Sequence, residues 1–373
     1  MKKLTPEQTI RYARHLTLPE VGVEGQLTLQ KASVLLVGVG GLGSPVAMYL
    51  AASGVGHIGL VEYDVVDESN LQRQILYSSS QVGKAKIDMA RLRLLEINPH
   101  IEIECFPEKL TTKNALSIFE GYDIVVDGSD NFTTRYLVND AAYFSKIPLV
   151  SGAIMGFEGQ LSVFNYQGSS CYRCLFPSPP PKEAAPNCSE AGVLGVLPGV
   201  IGTMQATECL KIILGIGEVS ANKLILYDAL AMSFQNLTMG RDPQCPLCSK
   251  GSVIKELTEV QNSCSLKAFK SPSEVDPDYL LSRLDEVTTL DVRENFERDI
   301  CRIDSGLHIP LGQLENRVNE IPLEKEIVVY CKMGGRSLKA LDVLKDAGVT
   351  NAKSLKGGII GWADQVDPQI KKY

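Results

Sequence analysis

Three groups of residues in this chain have the types and spacing to do chemistry. The first is a pair of matched cysteine pairs, Cys171-Tyr172-Arg173-Cys174 and Cys245-Pro246-Leu247-Cys248. Two residues between cysteines let both thiolates reach one tetrahedral ion, so the CxxC…CxxC set predicts a zinc site. Four thiolates leave no open position, which makes the metal structural. A redox reading of either pair needs a thioredoxin-like pattern beside it, and the sequence has none. The second group is Cys331-Lys332-Met333-Gly334-Gly335-Arg336-Ser337. A cysteine at a strand end, a loop able to curl and a helix start give a nest of N–H groups aimed at sulfur. Such a field favours a thiolate or a persulfide, and Arg336 adds positive charge.

The third group is a glycine loop, Gly38-Val39-Gly40-Gly41-Leu42-Gly43, with Glu62, Arg73, Lys86 and Asp130 further on. Gly38 allows a sharp turn, Gly40 lets backbone approach phosphates, and Gly43 lets a helix pack close on a strand. Glu62 lies about 20 residues past the loop, where an acid can accept both ribose hydroxyls. Arg73 and Lys86 are cations that a triphosphate needs, and that a dinucleotide held by backbone does not. No GxxxxGK[ST] loop occurs, which excludes a P-loop ATPase.

The elements that must position these residues follow from local pattern. Val34-Leu35-Leu36-Val37 is a buried strand before the glycine loop, and Ala47, Leu50 and Ala51 mark the helix after it. The helix N-terminus offers free N–H groups to an anion. Together with the strand ending on Glu62 they form a nucleotide-binding βαβ unit. Gly83 to Asn98 reads as a helix ending before Pro99, with Lys86 in its first turn. A cation there opposes the helix dipole, which hints that it serves an anion. The strand Asp123 to Asp127 leads into Gly128-Ser129-Asp130-Asn131. That puts Asp130 beyond a strand's carboxyl end, where open α/β sheets bind ligands and where an acid can hold Mg²⁺. Its other reading is the cap of a helix from Thr133 to Lys146. Thr5 caps a short helix to His15 with Pro6 at its first position. Strands are expected at Pro148–Ala153, Gly159–Phe164 and Lys223–Tyr227, and a buried helix at Leu197–Leu214. Pro177 to Pro186 reads as a mobile crossing loop, and Asn262 to Val275 loses apolar periodicity and reads as linker.

Arg11-Tyr12-Ala13-Arg14, the loop Gly38–Gly43, Ser69-Asn70-Leu71-Gln72-Arg73-Gln74, Lys86 and Ser129-Asp130-Asn131 together resemble the MoeB/ThiF family over about the first 250 residues. That family adenylates ubiquitin-like sulfur-carrier proteins. The resemblance implies ATP contacts from Gly40, Gly41, Glu62, Ser69, Asn70, Leu71, Gln72, Arg73, Lys86, Asp130 and Asn131, with Mg²⁺ on Asp130. It implies a homodimer in which Arg14 reaches the neighbour's triphosphate, and it supports zinc on the four cysteines. Members often carry Asp where this chain has Glu62, and Asp64 could share the ribose task. Cys188, in Asn187-Cys188-Ser189-Glu190, matches a cysteine that in some relatives bonds the carrier or hands over sulfur; a stray loop thiol is its rival. The last hundred residues resemble a rhodanese domain, through Leu290-Asp291-Val292-Arg293-Glu294, His308-Ile309-Pro310, the Cys331 loop and Gly357-Gly358-Ile359-Ile360-Gly361-Trp362. Related phosphatases have one more residue between cysteine and arginine; the C-x4-R spacing here fits a sulfur atom. His308 reads as structural.

The expected organisation is therefore α/β throughout: a Rossmann-like ATP-binding sheet with structural zinc over residues 1–250, a linker over 251–272, and a smaller α/β rhodanese domain over 273–373. The formal charge of −7 argues against a nucleic-acid surface, and no stretch matches the roughly 20 apolar residues of a membrane span. The N-terminus turns polar at once, so the chain reads as cytoplasmic, and ten cysteines there suggest metal or catalysis before disulfides. The expected reaction is adenylation of a carrier's C-terminal Gly-Gly carboxylate, with sulfur then supplied from a persulfide on Cys331, charged by a persulfide or thiosulfate donor. Rival readings are an activator for protein conjugation, a NAD-dependent oxidoreductase and a non-catalytic scaffold.

Overall fold

The computed structural model describes residues 3–180, 192–259, 273–303 and 306–372. The chain divides between Ser263 and Cys264 into two compact units. Cys188, most of the proline-rich stretch and the linker from residue 260 to 272 lie outside the described residues.

The first unit is built on a sheet of eight strands: β1 (Ser33–Val37), β2 (His57–Val61), β3 (Glu102–Phe106), β4 (Ile124–Asp127), β5 (Leu149–Met155), β6 (Glu158–Phe164), β7 (Lys223–Asp228) and β8 (Ser233–Thr238). Their order is β3-β2-β1-β4-β5-β6-β7-β8. The first five are parallel, and β6 to β8 continue the sheet antiparallel. Every residue of β1 is buried, as a strand covered on both faces requires. The order reverses between β1 and β4, so their carboxyl ends flank a crevice.

The helix expected at Leu197–Leu214 has those bounds, with Gly215 as a left-handed cap at φ 65°. It crosses close to the helix Gly43–Ser53: a Cβ on Gly202 would stand 2.6 Å from the Leu42 carbonyl oxygen and 2.5 Å from Pro45. Thr5 does cap the first helix, in a capping box with Gln8, but that helix stops at Arg11 and a second covers Ala13–Leu16. Tyr12 makes the break. Its side chain turns inward, 3% exposed, and its hydroxyl accepts from Asn98 Nδ2 at 2.8 Å. β8 escaped the sequence reading because all but one of its residues are exposed, so it carries no alternating apolar pattern.

The second unit has five parallel strands, β9 (Glu274–Val275), β10 (Val287–Asp291), β11 (Leu307–His308), β12 (Glu326–Tyr330) and β13 (Ala352–Leu355), in the order β11-β10-β12-β13-β9. Glu274 and Val275, read from sequence as the end of the linker, are an edge strand on β13. Two residues are too few for periodicity to register. Separate apolar clusters pack the two faces, around Val329 and Leu344 on one and Tyr330 and Trp362 on the other. No helix among the described residues is long and apolar enough to cross a membrane.

Candidate active sites

The crevice at the ends of β1 and β4 holds a cavity of about 560 Å³. Its floor is the glycine loop. Gly38 takes φ +87°, and a Cβ on Gly43 would meet the Gly38 carbonyl oxygen at 2.1 Å, so this turn cannot carry side chains there. The helix Gly43–Ser53 opens with no side-chain cap; its Ser44 N–H donates to the Gly40 carbonyl at 2.9 Å, which closes the glycine loop onto the helix start.

Gly40, Gly41, Glu62, Arg73, Lys86, Asp130 and Asn131 all line this cavity. Glu62 is 7% exposed, and its carboxylate accepts from the N–H groups of Val39 (3.1 Å), Tyr63 (2.9 Å) and Asp64 (3.0 Å). Three backbone donors fix both oxygens at the end of β2 and offset the cost of burying the charge. Lys86 begins the helix Lys86–Ile97, and its Nζ reaches Asp64 Oδ2 at 3.2 Å. The lysine side chain is buried and the aspartate, which also lines the cavity, is half-exposed. Arg73 projects from the turn after the 3-10 helix Glu68–Asn70, with Nη1 donating to the Ser69 carbonyl at 3.1 Å. Ser69, Asn70, Leu71 and Gln72 build that turn and stand outside the cavity lining. Asn131 takes the capping role weighed for Asp130: its Oδ1 accepts from the Thr134 N–H at 2.9 Å, while Asp130 is exposed beside it. Arg14 is exposed on the helix Ala13–Leu16 and is not part of this chain's own cavity lining.

Further polar residues reach the cavity without having been singled out, Arg135, Gln74 and Lys109 among them. Arg135 joins β4 and β5 beneath it, with Nε 3.2 Å from Asp127 Oδ2 and Nη2 donating to the carbonyls of Ser129 and Gly152. Its position four residues after Asn131, one turn along the same helix, was the available signal. Gln74 adjoins Arg73 in the polar run, and Lys109 sits alone in the loop after β3 with nothing in its sequence surroundings to mark it.

The four paired cysteines converge. Their sulfurs lie within 4.8 Å of one another, with neighbouring Sγ···Sγ separations of 3.3, 3.5 and 3.8 Å. A tetrahedron with metal–sulfur bonds of about 2.3 Å has edges of about 3.8 Å, so the donor set fits zinc without rearrangement. Cys171, Cys245 and Cys248 are buried and Cys174 is partly exposed, and four thiolates would leave no open coordination position. The pairs come from the short helix Tyr172–Leu175 and from turns beyond β8, so the cluster ties the middle of the unit to its end.

In the second unit Cys331 ends β12 and is 2% exposed. The Gly334 N–H donates to its sulfur at 3.1 Å, and Gly334 holds φ +109° to turn the loop into the helix Gly335–Asp346. The Cys331 and Lys332 carbonyls point the other way and accept from the N–H groups of Ile359 and Ile360 at 2.8 and 3.2 Å. A Cβ on Gly358 would collide with both carbonyls, which explains the paired glycines at 357 and 358. Arg336 is engaged by Glu297, both guanidinium nitrogens donating to its two oxygens at 2.6 Å. His308 bonds the Arg293 carbonyl at 2.8 Å, a structural contact that ties β11 to the end of β10.

A Rossmann-like crevice with a buried lysine, followed by a second α/β unit with a buried cysteine whose sulfur accepts from the Gly334 N–H, defines a two-part transferase. Residues 12–247 match the ThiF family and residues 276–365 match the rhodanese-like domain. The chain is 40% identical over 394 residues to the Drosophila yakuba protein named adenylyltransferase and sulfurtransferase MOCS3, covering all of this chain and 86% of that one. It is 41% identical over 384 residues to a Mycobacterium tuberculosis protein named "Probable adenylyltransferase/sulfurtransferase MoeZ", covering 99% and 96%. Among solved structures, Escherichia coli MccB with ATP superposes with a TM-score of 0.57 at 25% identity, over 64% of this chain and 74% of that one. The chain belongs to the ThiF family, in the group that carries a C-terminal rhodanese-like domain, and is an enzyme of the adenylyltransferase and sulfurtransferase class.

Proposed function

We propose that this enzyme activates the C-terminal Gly-Gly carboxylate of a ubiquitin-fold sulfur-carrier protein with ATP and converts it to a thiocarboxylate. The observation that carries the reading is the union, on one chain, of a glycine-loop cavity lined by Arg73 and Lys86 with a buried cysteine whose sulfur accepts from the Gly334 N–H. A carboxylate is a poor electrophile because its charge is delocalised. Attack of its oxygen on the α-phosphorus of ATP expels pyrophosphate and leaves an acyl-adenylate. Arg73, Lys86 and Arg14 of a second subunit stabilise the charge that develops on the phosphates. Glu62 accepts the ribose hydroxyls, Asn131 lines the nucleotide site, and the turn Ser69 to Gln72 carries Arg73 into it. Asp130 would hold Mg²⁺, which would offset phosphate charge, and Cys171, Cys174, Cys245 and Cys248 would hold a structural zinc.

The terminal sulfur of a Cys331 persulfide, charged by a persulfide or thiosulfate donor, attacks the acyl carbon and AMP leaves. The resulting acyl disulfide is cleaved by a second thiol, for which Cys188 is the candidate on this chain: its sulfur bonds the Cys331 sulfur as a disulfide, the acyl S–S bond breaks to release the thiocarboxylate, and an external thiol reduces the disulfide before the next cycle. The enzyme works as a homodimer in the cytosol. The described cysteines form no disulfide, in keeping with a reducing compartment. Conjugation of the carrier to other proteins needs no such cysteine cradle, which favours sulfur transfer. Mass spectrometry of Gly-Gly-ended carriers after incubation with ATP, Mg²⁺ and thiosulfate tests the reading. One sulfur replacing one oxygen at the tail is expected; an adenylate that never exchanges oxygen for sulfur with any carrier overturns the sulfur-transfer half.

A further inference from the structure

The pair between Arg336 and Glu297 is fixed from both sides. Glu297 is 4% exposed and lies in the helix Asn295–Ile300, which starts at a capping box: the Glu294 N–H donates to Glu297 Oε2 at 3.0 Å. The Glu297 carbonyl accepts from Arg293 Nη1 at 3.2 Å, and Arg293 is itself fully buried against Asp291 at 2.6 Å. A fork-to-fork pair anchored this way has one geometry. It also compensates the charge of the arginine that ends the C-x4-R loop. Sulfur at Cys331 meets the neutral Gly334 N–H instead.

That arrangement bears on the donor. In the loading step the Cys331 thiolate attacks the outer sulfur of the donor. The donor's S–S bond breaks, its electron pair leaves with the departing group, and a new S–S bond forms on Cys331. A persulfide brings one negative charge and expels a thiolate. Thiosulfate brings two and expels sulfite, also doubly charged. We propose that Glu297 is a specificity-determining positioning residue of this site: by engaging Arg336 through both oxygens it keeps the loop's guanidinium charge compensated, so the site favours singly charged sulfur donors over dianionic ones. This rests on Cys331 being the sulfur acceptor.

The test uses the full chain with cyanide as final acceptor and two donors of similar shape, thiosulfate and the singly charged methanethiosulfonate. Glu297→Gln is expected to raise the kcat/KM ratio of thiosulfate to methanethiosulfonate about tenfold, through KM rather than kcat, with the gain falling as salt is added. The double variant Glu297→Gln/Arg336→Gln is expected to return the ratio to the wild-type value. A ratio unchanged within twofold, an equal loss of kcat with both donors, or a double variant that keeps the raised ratio each overturns the proposal. Cys331→Ala separates the two claims. Thiocyanate formation that survives it defeats the acceptor reading, whereas its loss together with an unmoved ratio in Glu297→Gln defeats only the role of Glu297.

Discussion

At the scale of single residues, the chemistry depends on charges held where water would otherwise take them. Lys86 is the sharpest case, a buried ammonium whose described partner is a half-exposed carboxylate. In the proposed reaction a nucleotide entering the cavity would meet that ammonium beside Asp64, with little water left to screen it. Lys86→Met keeps the packing and removes the charge, and ATP–pyrophosphate exchange is expected to fall by about 10²–10³-fold; a loss below fivefold places Lys86 outside the reaction. Cys331→Ala is expected to abolish thiocyanate formation from thiosulfate while pyrophosphate exchange stays within about twofold, because the two chemistries use different side chains. Both residues stood out in the sequence, since a lysine in a helix's first turn and a cysteine at a strand end are unusual by local rules alone. The ion pairs beside them did not: Asp64, weighed only as a ribose ligand, lies 22 residues from Lys86, and Glu297 lies 39 from Arg336, and nothing local links such positions.

At the scale of elements, close backbone approaches decide what the loops can do. Gly43 touches the Gly38 carbonyl, and neither backbone can yield without opening the crevice. Gly43→Ala is expected to destabilise the first unit by on the order of 3 kcal/mol and to weaken nucleotide binding, read from thermal unfolding with and without ATP. The four-cysteine cluster acts at the same scale, since its cysteines come from segments 74 residues apart. Stripping the metal with a chelator is expected to release one zinc per chain and to lower the unfolding midpoint of that unit by roughly 10 °C. A chelated chain that loses zinc and keeps its midpoint shows that protein contacts alone close this region. The CxxC spacing made the site legible, because a metal's geometry is written in short sequence intervals. The capping Asn131 was less legible, because Asp130 and Asn131 are equally good caps and only the path of the chain selects one.

At the scale of the molecule, two units with separate sheets and separate cores share one chain. Calorimetry is expected to show two transitions, with ATP raising only the one that belongs to the first unit; at a hundredfold excess over Kd the stabilisation is about 2.7 kcal/mol. A single transition, or a nucleotide shift in both, shows that the units unfold together. The sequence by itself determined the strand β1, the glycine loop, the bounds of the helix Leu197–Leu214, the paired cysteines and the Cys331 loop. Each is encoded within a few residues, by apolar periodicity, a cap, or the reach of a ligand, and needs no knowledge of where the rest of the chain goes. Tertiary structure alone decided that β8 and the two residues of β9 join sheets, that Tyr12 breaks the first helix, and that Asp64, Arg135 and Glu297 hold the charges around the two sites. Those outcomes depend on segments returning to one another after tens of residues, and the energy that selects them, desolvation offset by pairing, exists only once the chain has closed around them.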